Sequence, residues 1–86
     1  MKEQRYPPEL SKQAKKQIDI MDAKTQQRIK NGIEKIPLGD IVPLKSNAEY
    51  SRLRIGSYRI LFKWINNEQI FVVLIESRGQ VYKRGV

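Results

Sequence analysis

Between Tyr50 and Lys63 the chain reads YSRLRIGSYRILFK, where Arg52, Arg54 and Arg59 recur among apolar residues and Lys63 closes the run. A second group, Arg78, Tyr82, Lys83 and Arg84, follows in ESRGQVYKRG. Planar guanidinium forks match phosphate oxygens, and several converging on one point would hold a phosphodiester and stabilise the charge it gains in a transition state. Histidine and cysteine are both absent, which excludes an imidazole acid or base, thiolate metal sites and disulfides. Chemistry therefore falls to Tyr, Lys, Arg or carboxylates. Lys and Arg total 17 against 9 Asp and Glu, a net charge of +8, which suits a nucleic acid, an acidic protein or an anionic surface.

What could gather these cations is a tight turn. Gly56-Ser57 lies between Ile55 and Tyr58, a two-residue loop with glycine first, as a type II′ hairpin requires. Its length sets a register: Ile55 with Tyr58, Arg54 with Arg59, Leu53 with Ile60, Arg52 with Leu61. Strand side chains alternate, so Leu53, Ile55, Tyr58, Ile60 and Phe62 share one face, and Arg52, Arg54, Arg59 and Lys63 share the other. Like charges directly opposite each other are destabilising. The acids after Asp40 are Glu49, Glu68 and Glu76, and Glu76 alone is expected on the cationic face, so a bound anion is the expected partner. The same pattern also describes arginines that are simply solvated on a half-buried sheet.

Asn66-Asn67 predicts the next turn through positive φ, leading into IFVVLIE, whose apolar residues on both faces predict a central strand. Phe71, Val73 and Ile75 are expected in the core, with Ile70, Val72 and Leu74 flooring the cationic face. Upstream the apolar period is helical. Ser11 caps a predicted helix to about Met21, with Leu10, Ala14, Ile18 and Met21 on its apolar side and Lys12, Lys15 and Lys16 opposite, either a solvated face or a nonspecific backbone contact. Asp22 caps a second, ending before Pro37, that buries Ile29, Ile33 and Ile36 and tolerates Gly32 at a cost of about 1 kcal/mol. PLGDIVPLKSNAE reads as a loop. Pro7 and Pro8 confine any strand beginning at Arg5-Tyr6 to an edge, or abolish it. The expected fold is α+β: a single domain over residues 1–86, with an N-terminal helix hairpin packed on one face of a small, mainly antiparallel, twisted sheet. No segment reaches the roughly 18 apolar residues of a membrane span, so the expected setting is cytoplasmic, without a membrane partner.

Taken together, LSKQAKKQIDIMDAKTQQRIKNGIEKIP, SRLRIGSYRILFK and SRGQVYKR resemble the RelE/ParE superfamily of prokaryotic toxins, and among them the RelE-like, ribosome-dependent ribonucleases with a microbial-ribonuclease-like fold. The resemblance implies an mRNA endonuclease acting at the ribosome without metal or cofactor, by attack of the RNA 2′-hydroxyl on the adjacent phosphate. It implies that Arg52 and Arg54 hold the mRNA backbone, joined by Lys63, Lys83 and Arg84, and that Arg59 and Arg78 stabilise the scissile phosphate. Tyr82 falls on a tyrosine implicated as a base or as a stacking platform. A free tyrosine titrates near 10, so the base role requires neighbouring cations such as Arg78 and Lys83. The general acid stays open between Lys63 and Lys83. Many relatives carry Gly-His-Arg where this chain has Glu76-Ser77-Arg78, which removes a histidine and adds a carboxylate. Implied partners are a cognate acidic RelB-like antitoxin, the ribosome and mRNA, and operator DNA as a toxin-antitoxin hetero-oligomer. Other readings are a ParE-like toxin of DNA gyrase and a catalytically silent binding module.

Overall fold

Ser11 and Asp22 both hold extended backbone, with ψ at 163°, and each turns its side chain onto the helix that follows it. The Ser11 hydroxyl accepts from the Ala14 amide at 3.0 Å, and the Asp22 carboxylate accepts from the Thr25 amide at 3.4 Å and the Thr25 hydroxyl at 2.6 Å. Donors left open at a helix start are thereby satisfied. The resulting helices are α1 (Lys12–Asp19) and α2 (Ala23–Glu34). A computed structural model describes residues 2–77 of the chain. In it α1 ends at Asp19 rather than near Met21, because Asp22 must be extended to cap α2 and the chain leaves the helix through Ile20. Met21 still packs against the core, as does Leu10.

The strands, numbered with those helices in chain order, are β1 (Glu9–Leu10), β2 (Ile41–Pro43), β3 (Tyr50–Ile55), β4 (Tyr58–Asn66) and β5 (Gln69–Ser77). They form one sheet in the order β1-β5-β4-β3-β2. All neighbours are antiparallel except β1 and β5. This is the expected α+β architecture, with two strands that the sequence reading did not place. β2 lies inside the segment read as a loop: Ile41 pairs with Leu53 and packs against the core, while Pro43, lacking an N–H, is accommodated at the sheet margin. At the other margin pairing begins after Pro7 and Pro8, not at Arg5-Tyr6. The Arg5 and Tyr6 amides instead donate to the Glu68 carbonyl at 2.8 and 3.3 Å.

The hairpin of β3 and β4 has the expected register throughout, Arg54 opposite Arg59 and Leu53 opposite Ile60, and Gly56 takes the positive φ, 59°, that its turn requires. The turn at Asn66-Asn67 works differently. Among the described residues only glycines have positive φ, and the Asn66 side chain makes the turn by accepting from the Glu68 amide at 2.7 Å.

The face assignment along β5 is corrected by a bulge. Leu61 pairs with Leu74, but Phe62 pairs with Val72, leaving Val73 as an extra residue. Alternation resets across it. Ile75 is buried as expected, but so are Ile70 and Val72, at 0% exposure each, whereas Phe71 and Val73 are only half-buried. The floor of the cationic face is thus Leu61, Phe71 and Leu74.

The core unites Ala14, Ile18, Ile29, Ile33 and Ile36 with Leu53, Ile60, Phe62, Ile70, Val72 and Ile75. α1 lies against β5 and α2 against β3. Gly32 makes the second contact possible: a Cβ there would stand 3.1 Å from Ile55 Cγ1 and still closer to its Cδ1. The glycine is a close-approach residue, not just a tolerated one. On the other side Gln17 of α1 binds the Ile75 backbone twice, its amide nitrogen donating to the carbonyl and its oxygen accepting from the N–H at 2.9 Å. Ser11 adds a hydroxyl donation to the Val73 carbonyl at 2.6 Å.

Candidate phosphate-binding face

The helices cover the apolar side of the sheet and leave the other side to the cations. Arg52 and Arg54 on β3 and Arg59 and Lys63 on β4 share that side by register. Burying Leu53, Ile60 and Phe62, at 2%, 0% and 1% exposure, compels it, because a slip of one residue would drive arginines into the core. Arg54 and Arg59 are direct cross-strand neighbours, and both line a shallow depression of about 290 Å³ with Asp40, Gly56, Ser57 and Tyr58. Arg52 is half-buried between its partners Val42 and Leu61. Lys63 stands farther along β4, roughly 13 Å from Arg59 at the usual rise per residue. Its ammonium lies 5.5 Å from the centre of the Tyr50 ring, a cation–π contact that fixes its place.

Asp40, which the expectation of a bound anion left out of account, supplies part of the compensation for the Arg54–Arg59 opposition. The Arg54 Nε–H donates to Asp40 Oδ2 at 3.0 Å. This pair and the one between Arg5 and Glu68, at 3.6 Å, are the ion pairs among the described residues. Glu76 does sit opposite Arg59, on the expected face, but forms no ion pair with it or with any other described residue. Sequence separation hid Asp40: it precedes β2, and only the pairing of β2 with β3 carries it to Arg54. A sequence signal existed in the Gly39-Asp40 turn pair before the apolar Ile41-Val42.

Arg28 of α2 was not anticipated either. A Cβ on Gly56 would meet its guanidinium at 2.7 Å, so the hairpin tip carries a cation on its helical side too. Lys12, Lys15 and Lys16 are exposed on α1. Arg78, Tyr82, Lys83 and Arg84 lie outside the described residues. No group of three or more His, Cys, Asp or Glu side chains that would hold a metal ion is assembled among the described residues. No helix among them is long and apolar enough to cross a membrane.

Chemically, the face offers adjacent guanidinium donors over an apolar floor, suited to phosphate oxygens. Similar folds occur in three toxin-antitoxin structures. The RelB-RelE complex of Methanococcus jannaschii matches with a TM-score of 0.66 at 24% identity, over 88% of this chain and 96% of that one. The archaeal RelE-RelB complex of Pyrococcus horikoshii OT3 matches at 0.66 and 20%, over 87% and 97%. The RelBE2 complex of Mycobacterium tuberculosis matches at 0.68 and 18%, over 85% and 98%. No curated protein sequence matches the chain. The family model for the ParE toxin of the type II toxin-antitoxin system parDE matches residues 9–82. Because that match spans most of the sequence, the chain belongs to the ParE toxin family of type II toxin-antitoxin systems.

Proposed function

We propose that this toxin is a ribosome-dependent mRNA endonuclease. The observation that carries the reading is the direct Arg54–Arg59 cross-strand pair, flanked by Arg52 and Lys63 on the side of the sheet that the helices leave open. A fold shared with RelE chains supports it. Arg52, Arg54 and Lys63, with Lys83 and Arg84, hold the message backbone. The RNA 2′-hydroxyl loses its proton and its oxygen attacks the adjacent phosphorus. The bond from phosphorus to the 5′-oxygen breaks, and that oxygen takes a proton. The products are a 2′,3′-cyclic phosphate and a 5′-hydroxyl, with no metal required. Arg59 and Arg78 stabilise the extra charge on the phosphate oxygens, and arginine, a poor proton donor, serves no other purpose there. Tyr82 is the base or the platform on which a splayed base stacks. Of the two lysine candidates for proton donor, Lys83 is favoured, because Lys63 stands roughly 13 Å along β4 from Arg59 and over the Tyr50 ring.

A cognate antitoxin keeps the toxin silent. The similar structures are complexes with RelB, and the net charge of +8 favours an acidic partner laid over the cationic face. The toxin with its antitoxin forms the hetero-oligomer that occupies operator DNA.

Primer extension on a message being translated tests the activity. Cleavage within the decoding site is expected, slowed about 10²- to 10³-fold by Arg59→Ala and also slowed by Tyr82→Phe. RNA affinity is expected to fall with salt with a logarithmic slope near −3 for about four neutralised phosphates. An intact message together with gyrase-linked DNA breaks would overturn the ribonuclease reading in favour of gyrase poisoning.

A further inference from the structure

Asp40 is bound to Arg54 through both main chain and side chain. The Arg54 amide donates to the Asp40 carbonyl at 3.0 Å, and its Nε–H donates to the Asp40 carboxylate at 3.0 Å. The preceding Gly39 holds φ at 126°, where a Cβ would approach Leu53 Cδ1 to 3.0 Å. Its carbonyl accepts from the Ile41 amide at 3.1 Å. The backbone thus decides where Asp40 stands, independently of its side chain.

Both side chains of the pair are more than half exposed, 59% for Arg54 and 54% for Asp40, so the pair contributes little to folding. Its geometry matters more. Asp40 engages Nε, and the four N–H donors of the terminal nitrogens remain outside that bond. Asp40, Arg54 and Arg59 line the same depression. An arginine tied through Nε has already given up rotamer freedom that a free one would lose on binding.

We propose that Asp40 is a positioning residue for the phosphate-binding face. By accepting from Arg54 Nε it fixes the guanidinium so that Arg54 and Arg59 present their remaining donors to one phosphate of single-stranded RNA. The proposal rests on the reading of this face as an RNA site. It sets two effects of Asp40 against each other, since the carboxylate orients Arg54 while its charge repels the phosphate.

Asp40→Asn and Asp40→Ala separate them: both remove the charge, but only asparagine retains an oxygen able to accept from Nε. The main-chain bond from Arg54 survives both changes. The probe is a fluorescein-labelled uridine dodecamer, its binding followed by anisotropy over a range of salt concentrations. Asp40→Asn is expected to bind about threefold or more tighter than Asp40→Ala, with equal salt slopes. In an Arg54→Ala background the difference between them is expected to vanish. Equal affinities of the two variants, or tighter binding by Asp40→Ala, would sink the positioning role and leave Asp40 a simple counter-ion. Failure of the underlying reading looks different: Arg54→Ala alone would leave the affinity of the parent chain unchanged.

Discussion

β4 has a neighbour on each side, and the two pairings could hardly be less alike. Toward β3 it forms an unbroken ladder from Ile55↔Tyr58 to Tyr50↔Lys63. Toward β5 the register shifts between Leu61 and Phe62 and again between Trp64 and Asn66. The difference lies in what a slip would bury. On β3 a one-residue slip exchanges Leu53 for an arginine in the core, at a cost comparable to the whole stability of a small domain. On β5 every residue from Ile70 to Ile75 is apolar, so either face accepts any of them and a bulge is cheap. Charge keeps one half of the sheet regular, and uniform apolarity lets the other half bend.

Deleting one residue from each strand would break or uphold that contrast. Removal of Leu61 from β4 makes Ile60 and Phe62 adjacent, so one of them must leave the core while Arg59 or Lys63 is driven into it, and loss of the cooperative urea transition is expected. Removal of Val73 from β5 leaves Ile70, Val72 and Ile75 in strict alternation, so the chain is expected to fold, with a loss of about 2–3 kcal/mol from the disturbed bond to Ser11 and the changed strand curvature. If both deletions fold equally well, the contrast is mistaken. A finer probe is Gln17→Ala, which strips the Ile75 backbone of its side-chain partners. About 1–2 kcal/mol is expected to disappear, with faster hydrogen exchange at Ile75 and unchanged exchange at Leu53.

The smallest effect lies on the α2 side, at Asp22. Its hydrogen bond from the Thr25 side chain is the chief cause holding its carboxyl below the usual carboxylate range. A depressed folded-state value means that the charged form stabilises the fold above the unfolded-state pKa, and that this contribution is lost as pH falls through the folded one. Asp22→Ala is therefore expected to lower Tm slightly at neutral pH. The gap from the parent should narrow as acid protonates the cap.

Legibility in the sequence followed the same division. Gly56-Ser57 disclosed a whole register, because a two-residue turn leaves no freedom in the pairing beyond it. Ser11 and Asp22 announced their helices through local hydrogen bonds, and Ile29, Ile33 and Ile36 through their period. β5 concealed its faces because IFVVLI contains no polar residue to mark an outside. Gly32 looked like a helix defect until Ile55 was seen beside it. Of the site, Arg52, Arg54, Arg59 and Lys63 were legible because alternation alone places them together. Asp40 was not, since its position depends on long-range pairing that no local pattern encodes.

The small hydrogen-bonding roles of Gln17 and Ser11 have a consequence for the toxin as a crowded solute. A strand margin with free amides and carbonyls is a growing end onto which another copy can add, and repeated addition makes fibres. In this sheet one margin is the two-residue β1, beyond which Ser11, capping α1, and Gln17 within it occupy backbone groups of β5. The other is the three-residue β2, ending in Pro43. Among the described residues neither margin offers a template long enough to propagate, and this part of the fold works against self-polymerisation.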